Sequence, residues 1–388
     1  MTKKRKNQQR PQSAQPAKPT PVTLPVAPAA TPVAPASTQS SRTWLLVLVP
    51  IVIVAAIAIW AINRSAPTPA TSNAPASVVT IGATLPGPTA VASPASASVP
   101  GPIGGVTGCR KQPPFSEKLG FGKGTALSTA ERTVKGLIIV EQSQNNAAPK
   151  TYQHPSWVIG GYLGPNGIDR DGNIYVAPAP RVNLIDNPPE RANYIYKVDA
   201  ATGVMTKFLE LPFAQAPSLS NPYGVLGLTY DCDTNSLYAA SVAGSSRESE
   251  VGRIFHIDLN TGKITSEIDN IDAIGLGVFN GAKGKRLYFG TARAQDVRSV
   301  VLDATGNFVD QPRVEFSLGN LGPDGNDKAR KISFDRNNDM IVNGTKFTFN
   351  LAPPAAQIRA AAYRYRYDSA KDSWAFVEAG AGPGAALQ

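Results

Sequence analysis

Two clusters, Asp169-Arg170-Asp171-Gly172-Asn173 and Asp231-Cys232-Asp233-Thr234-Asn235, set oxygen-bearing side chains at alternate positions, as the first half of a calcium-binding loop does. A complete loop of that kind also needs a glycine at its sixth position and a glutamate at its twelfth. The second cluster has Ser236 and Val242 there. Both clusters, and Asp335-Arg336-Asn337-Asn338-Asp339, sit at one place in a repeat, between a first and a second strand. Asp and Asn serve tight turns at such places, so these clusters are read as turns. The two histidines, His154 before Pro155 and His256 within RIFHIDL, fall in different repeats and offer little material for a Ser-His-Asp set or a histidine metal site. Each is expected to pack or hydrogen-bond. The two cysteines, Cys109 and Cys232, exclude haem attachment through C-x-x-C-H and any cysteine metal cluster.

The elements that carry these residues are short. Beyond Cys109 the chain alternates brief apolar runs with Gly, Asn and Asp, the texture of many strands, and offers no convincing amphipathic helix. The runs recur. One copy reads GID, RDGN, IYVA and then a hairpin from Asn193 to Leu211. The next reads GVLGLTY, DCDTN, SLYAASV and a hairpin from Arg253 to Ile268. A third reads GLGVF, NGAKGK, RLYFGTA and a hairpin from Arg298 to Leu318. Asp199, Asp258 and Asp303 share one position, followed by Gly203, Gly262 and Gly306 in the turn. A degenerate copy places Asp368 there, and an incomplete first copy is GLIIVEQ with TYQHPSWVIGG. Units of this kind bury their faces by stacking radially, so the expected fold is all-β, a five- or six-bladed propeller. The sixth blade would come from residues 110–135 and the C-terminal end.

The stretch PNGIDRDGNIYVA, Pro165 to Ala177, followed by YKVDAATG, resembles the repeat of the NHL, gluconolactonase and strictosidine-synthase-like β-propellers. The resemblance covers residues 127–380 as repeats and implies the propeller fold. Gluconolactonase-like propellers hold a divalent metal with a Glu, two Asn or Asp groups and an Asp around the central channel, which suits a hard cation able to polarise an ester carbonyl. By that resemblance Asn166 matches the Asn ahead of the Gly-Ile strand and Asn221 matches more loosely. Asp272 completes a candidate calcium set. No Glu-Gly-Pro context occurs, and the first copy offers Glu141 in IIVEQ.

In a propeller, the loops from second to third strands and the loops leading into each blade emerge on one face. Here residues 177–192, 243–252 and 345–359 are long for such connections, and added length there marks binding surface. Asn166, Asn221, Asp272, Asp327 and Arg330 precede the inner strands and are expected to ring the channel mouth. Their mixed charge suits a polar ligand or a peptide. Tyr175, Tyr238 and Tyr288 occupy one repeat position and are expected in the blade core.

The other end of the chain differs. Residues 1–108 hold no Asp or Glu and eight of the 38 Lys and Arg, which leaves 30 basic against 28 acidic side chains in the rest. The positive charge therefore flanks an apolar run, and nucleic-acid binding is excluded by the absence of a basic stripe with interleaved aromatics. Trp44 to Ile62 is a run free of charge that spans roughly 28 Å as a helix, enough to cross a hydrocarbon core. Trp44 and Trp60 stand near its ends, and Arg42 and Arg64 bracket it. Seven basic residues precede it, so residues 1–43 are expected in the cytoplasm as a disordered tail and the C-terminal bulk outside.

Residues 63–108 read as a linker rich in Pro, Ala, Ser and Thr, residues 109–380 as the propeller, and residues 381–388 as a flexible tail. Outside the cytoplasm thiols tend to be oxidised, and a Cys109–Cys232 bond is expected; two unrelated thiols are the alternative. The function these readings lead to is a membrane-anchored, extracytoplasmic binding or scaffolding module, without cofactor, for an envelope protein, glycan or small polar ligand. The alternative is a calcium-dependent lactonase or esterase-like hydrolase with Asn166, Asn221 and Asp272 as ligands.

Overall fold

The structure, a computed structural model, describes residues 101–381 apart from 124, 130–133, 143–147, 180–182, 217, 323–324 and 351–360. The chain divides into Met1–Thr89 and Ala90–Gln388, and every described residue belongs to the second unit. The tail, the apolar run 44–62, most of the linker and residues 382–388 lie outside the described residues. Among the described residues no helix is long and apolar enough to cross a membrane.

Five antiparallel sheets form five blades. Blade one has β2 (Thr125–Ser128), β3 (Ile138–Glu141) and β4 (Lys150–Tyr152). Blade two has β5 (Leu163–Ile168), β6 (Ile174–Pro178), β7 (Tyr194–Val198) and β8 (Met205–Glu210). Blade three has β9 (Val225–Asp231), β10 (Ser236–Ser241), β11 (Arg253–Asp258) and β12 (Lys263–Asp269). Blade four has β13 (Ala273–Gly281), β14 (Gly284–Thr291), β15 (Asp296–Val301) and β16 (Arg313–Ser317). Blade five has β17 (Lys328–Phe334), β18 (Met340–Thr345), β19 (Ala361–Asp368) and β20 (Ser373–Ala381). Each sheet is an up-and-down meander with its first strand innermost. Among the described residues no sixth blade forms from the segments expected to supply it: Thr125–Ser128 is the inner strand of blade one and Ser373–Ala381 the outer strand of blade five.

The repeat signals have physical causes. Asp199 accepts from the amides of Ala201 and Thr202, Asp258 from that of Asn260, and Asp303 from those of Thr305 and Asn307. Each carboxylate thus closes the hairpin between third and fourth strands. Gly203, Gly262 and Gly306 take the positive φ that the turn requires; in the degenerate fifth blade Asp372 takes it instead, at φ 53°. Inner strands are glycine-rich because they converge on the axis. A Cβ on Gly227 would stand 2.8 Å from Leu276 Cγ of the next blade. Accordingly β9 and β13 are buried throughout, whereas the outer β12 alternates between exposed and half-buried.

Apolar clusters fill the seams between neighbouring blades. Tyr175 and Phe255 belong to the cluster shared by blades two and three, Tyr238 and Leu276 to that of three and four, and Tyr288 and Tyr363 to that of four and five. The tyrosines at the shared repeat position are blade core, each at most 3% exposed.

Residues 101–123 form a strap across the base, so residues 101–108, expected as the end of the linker, pack into the fold. β1 (Gly104–Gly105) pairs with the end of β13. The side-chain-free pair permits this: a Cβ on Gly105 would meet Phe334 Cβ at 2.8 Å. Asn338 of blade five donates to Ile103 O, and the Cys232 amide of blade three donates to Val106 O. Cys109 and Cys232 are joined by a disulfide with Cα atoms 5.8 Å apart. The short helix α1 (Pro114–Lys118) then sets Phe115 edge-on against Trp157 beneath blades one and two.

Candidate functional site

The inner strands of all five blades surround a cavity of about 430 Å³ whose wall includes Ser128, Asn166, Gly227, Gly275 and Lys331. A narrower continuation of about 120 Å³ runs towards the base, where Thr107 and Arg110 of the strap enter the wall.

The wall is shaped by bulges. Pairing with the second strand slips between Leu163 and Asn166 in β5, at Leu226 in β9, at Ile274 in β13 and at Arg330 in β17. A bulge residue drops out of the ladder and frees its backbone groups. Arg330 Nη1 donates to the carbonyl oxygens of Leu226 at 2.6 Å and Ile274 at 3.2 Å. The bulge of blade five therefore supplies a guanidinium to the carbonyls that the bulges of blades three and four set free. The same slip carries both Arg330 and its neighbour Lys331 to the cavity wall, where regular alternation would send one of them away.

Of the five residues expected at the mouth, Asn166 and Arg330 line the cavity and the other three do not. Asn221 is 2% exposed and holds a loop: its Nδ2 donates to Val242 O at 2.7 Å and Ser245 O at 2.9 Å, while its Oδ1 accepts from the Tyr223 amide. Asp272 is fully buried and accepts from Ser245 Oγ, the Gly252 amide and Arg293 Nε, the last at 2.8 Å. Burial raises its carboxyl above the ordinary range, against the pull of Ser245 and Arg293. Asp327 accepts from the Tyr363 hydroxyl at 2.7 Å. These three residues precede inner strands as expected, but Asn221 and Asp272 turn to satisfy loop backbone and Asp327 turns to a buried tyrosine hydroxyl.

The candidate calcium set therefore does not converge. Asn166 faces the channel, Asn221 and Asp272 both turn away from it onto the 243–252 loop, where each bonds Ser245, and the carbonyls that turn inward at the bulges already accept from a cation of the chain itself. Arg110 and Lys331 add two further positive charges to the wall. Among the described residues no three His, Cys, Asp or Glu side chains are grouped as a metal site would need. These residues do not fit a divalent cation.

The Asp/Asn clusters serve as turns: Asp169 Oδ1 accepts from the amides of Asp171 and Asn173, and Asp335 Oδ1 from those of Asn337 and Asp339. His154 caps a 3-10 turn through Ser156, and His256 stacks on Tyr238 with ring centroids 4.9 Å apart. Arg110 and Lys331 were absent from the sequence reading of the site. Arg110 left a signal, since it follows the cysteine expected to bond at the base of blade three. Lys331 left none, because a bulge is invisible in the residue pattern.

Fold and site together define a five-bladed β-propeller whose base is crossed by its own N-terminal strap. No family model matches the chain, and no curated protein matches it. Among solved structures the chain is similar to a calcium-binding protein, regucalcin, from Agrobacterium tumefaciens, at 17% identity over 71% of this chain and 77% of that one, with a TM-score of 0.36. It is similar to a luciferin-regenerating enzyme at 11% identity over 72% and 80%, TM-score 0.38, and to a Lactobacillus plantarum protein at 10% over 66% of each, TM-score 0.40. These likenesses assign no activity, metal or ligand; the propeller fold rests on the five sheets themselves.

Proposed function

We propose that this chain is a membrane-anchored, extracytoplasmic binding module that takes a small polar ligand into the propeller channel. The run 44–62 would serve as anchor, with residues 1–43 in the cytoplasm. One observation carries the reading: a cavity walled by all five blades, crossed at its base by the strap and lined by Asn166, Ser128 and Lys331 rather than by a converging acid-base or metal set. A cavity of this size with polar groups in its wall suits capture of a molecule through a few directed hydrogen bonds. An envelope protein or glycan could present such a group at the mouth.

The test is a thermal-shift screen of the purified full chain against polar metabolites and short glycans, with Asn166→Trp, which fills the channel, in parallel. At least one compound should raise the melting temperature of the wild type and not of the variant. A screen without any such compound would overturn the channel reading. Calcium-dependent turnover of an aliphatic lactone, abolished by Asn166→Trp, would replace binding with hydrolysis.

A further inference from the structure

A second cavity, of about 580 Å³, lies between the strap and blades one and two. Arg110, Lys111, Lys123 and Arg336 line it, and its described wall holds no carboxylate. This departs from a domain in which basic and acidic side chains nearly balance. None of the four is in an ion pair with a described residue, whereas most other ion pairs of the fold join neighbouring strands or turns. Cations gathered without counter-charge raise one another's energy, and an anion placed among them relieves it. Arg110 is the most constrained of them. Its Nε donates to Thr107 O at 2.9 Å, and the adjacent Cys109 is fixed by the disulfide, so the guanidinium stands where this cavity and the central channel share a wall.

The rest of the wall sets an apolar patch among the polar Thr107, Gln112, Ser116 and Thr125. Half-buried Leu127 and Ile168 line it, with Ile139 and Ile174 buried behind them. A purely polar anion would leave that surface unused, and a neutral apolar molecule would leave the cations uncompensated. We propose that the strap cavity binds a small anionic amphiphile, with a carboxylate or phosphate head among the four cations and a short alkyl chain on Leu127 and Ile168. This site shares Arg110 and Leu127 with the channel wall but lies on the strap side of them, so Asn166→Trp, which fills the channel, should leave binding here unchanged.

The probe is octanoate carrying a terminal diazirine, irradiated with the full chain in phosphatidylcholine nanodiscs, with labelled peptides read by mass spectrometry. Label should fall on the strap or on residues 125–127 and 168–174, and octanoate should compete for it while acetate does not. Competition should strengthen about fourfold for each methylene added from butanoate to octanoate. Comparing octanoate with octyl phosphate as competitors separates a carboxylate from a phosphate head. The exposed double substitution Lys123→Gln/Arg336→Gln should lower labelling roughly tenfold with the melting temperature unchanged; Arg110→Gln should act in the same direction. Equal labelling of the variants, or equal labelling by the uncharged diazirine alcohol, would overturn the proposal, as would label confined to residues 44–62.

Discussion

Arg293 donates its Nε to the buried carboxylate of Asp272 at 2.8 Å, and its remaining nitrogens donate to the carbonyls of Ser246, Arg247 and Ser249. Asp272 in turn accepts from Ser245 and Gly252, the two ends of the same loop. The long 243–252 connection is therefore wound around the Asp272–Arg293 ion pair between blades three and four, with its own Glu250 a further carboxylate 3.7 Å from Arg293 Nε. Arg293→Ala would leave a buried carboxylate without its counter-charge, and stability should fall by about 3 kcal/mol. Amide hydrogen exchange over 243–252 should accelerate more than over β9 or β13. Uniform acceleration across the fold would show that the pair does not act locally.

Topology can be tested on whole cells. If residues 1–43 lie inside and the propeller outside, protease added to spheroplasts should cut between the apolar run and the strap and release the domain intact. A domain shielded until the membrane is broken would reverse the orientation.

The disulfide closes a loop of 123 residues and joins the strap to the turn after β9. In the chain-entropy model this constraint is worth roughly 4 to 5 kcal/mol. Cys109→Ser/Cys232→Ser should lower the denaturant midpoint accordingly and expose the amide of Cys232, which donates to Val106 O, to exchange. An unchanged midpoint would mean that β1 and Phe115 hold the strap without the bond.

Much of the fold was legible because each repeat marks its turns chemically: Asp199, Asp258 and Asp303 bond the backbone of the very turns they announce. Local chemistry of this kind leaves a trace in local sequence. The channel wall was less legible. Its composition depends on four bulges, and a one-residue slip in pairing moves a side chain to the other face without altering the pattern of residue types. Asn221, Asp272 and Asp327 were placed before the correct strands, but sequence position does not say whether a short polar side chain turns to the axis or into a seam. The sixth blade failed for a related reason. Within residues 110–135, Phe115 and Phe121 are apolar positions that look available for a strand, and they serve instead as anchors of the strap.

His256 should give the fold a pH dependence near neutrality. It is 2% exposed, stacked on Tyr238 and hydrogen-bonded through Nδ1 to Asn307 Oδ1 at 2.9 Å. Nδ1 also lies 2.6 Å from Thr265 Oγ1, a hydroxyl able to donate or accept, but Asn307 Oδ1, its amide oriented by donation to Thr305 Oγ1, can only accept, so the Asn307 bond requires the proton on Nδ1. A second proton would go to Nε2, which is buried without a partner. Burial accordingly lowers the imidazole pKa from 6.5, against the opposing pull of Asn307 and the nearby carboxylates. The sign follows from proton counts. Below pH 6.5 the unfolded chain binds a proton that the folded chain refuses, so stability is full above 6.5 and falls with pH until the lower folded value is reached. Thermal unfolding of the wild type between pH 7.5 and 5.5 should therefore show a larger loss than that of His256→Gln, which keeps a donor for Asn307 and cannot charge. The difference between the two proteins isolates this residue from every other titrating group. Identical losses in both would mean that His256 is protonated in the fold as readily as in the unfolded chain.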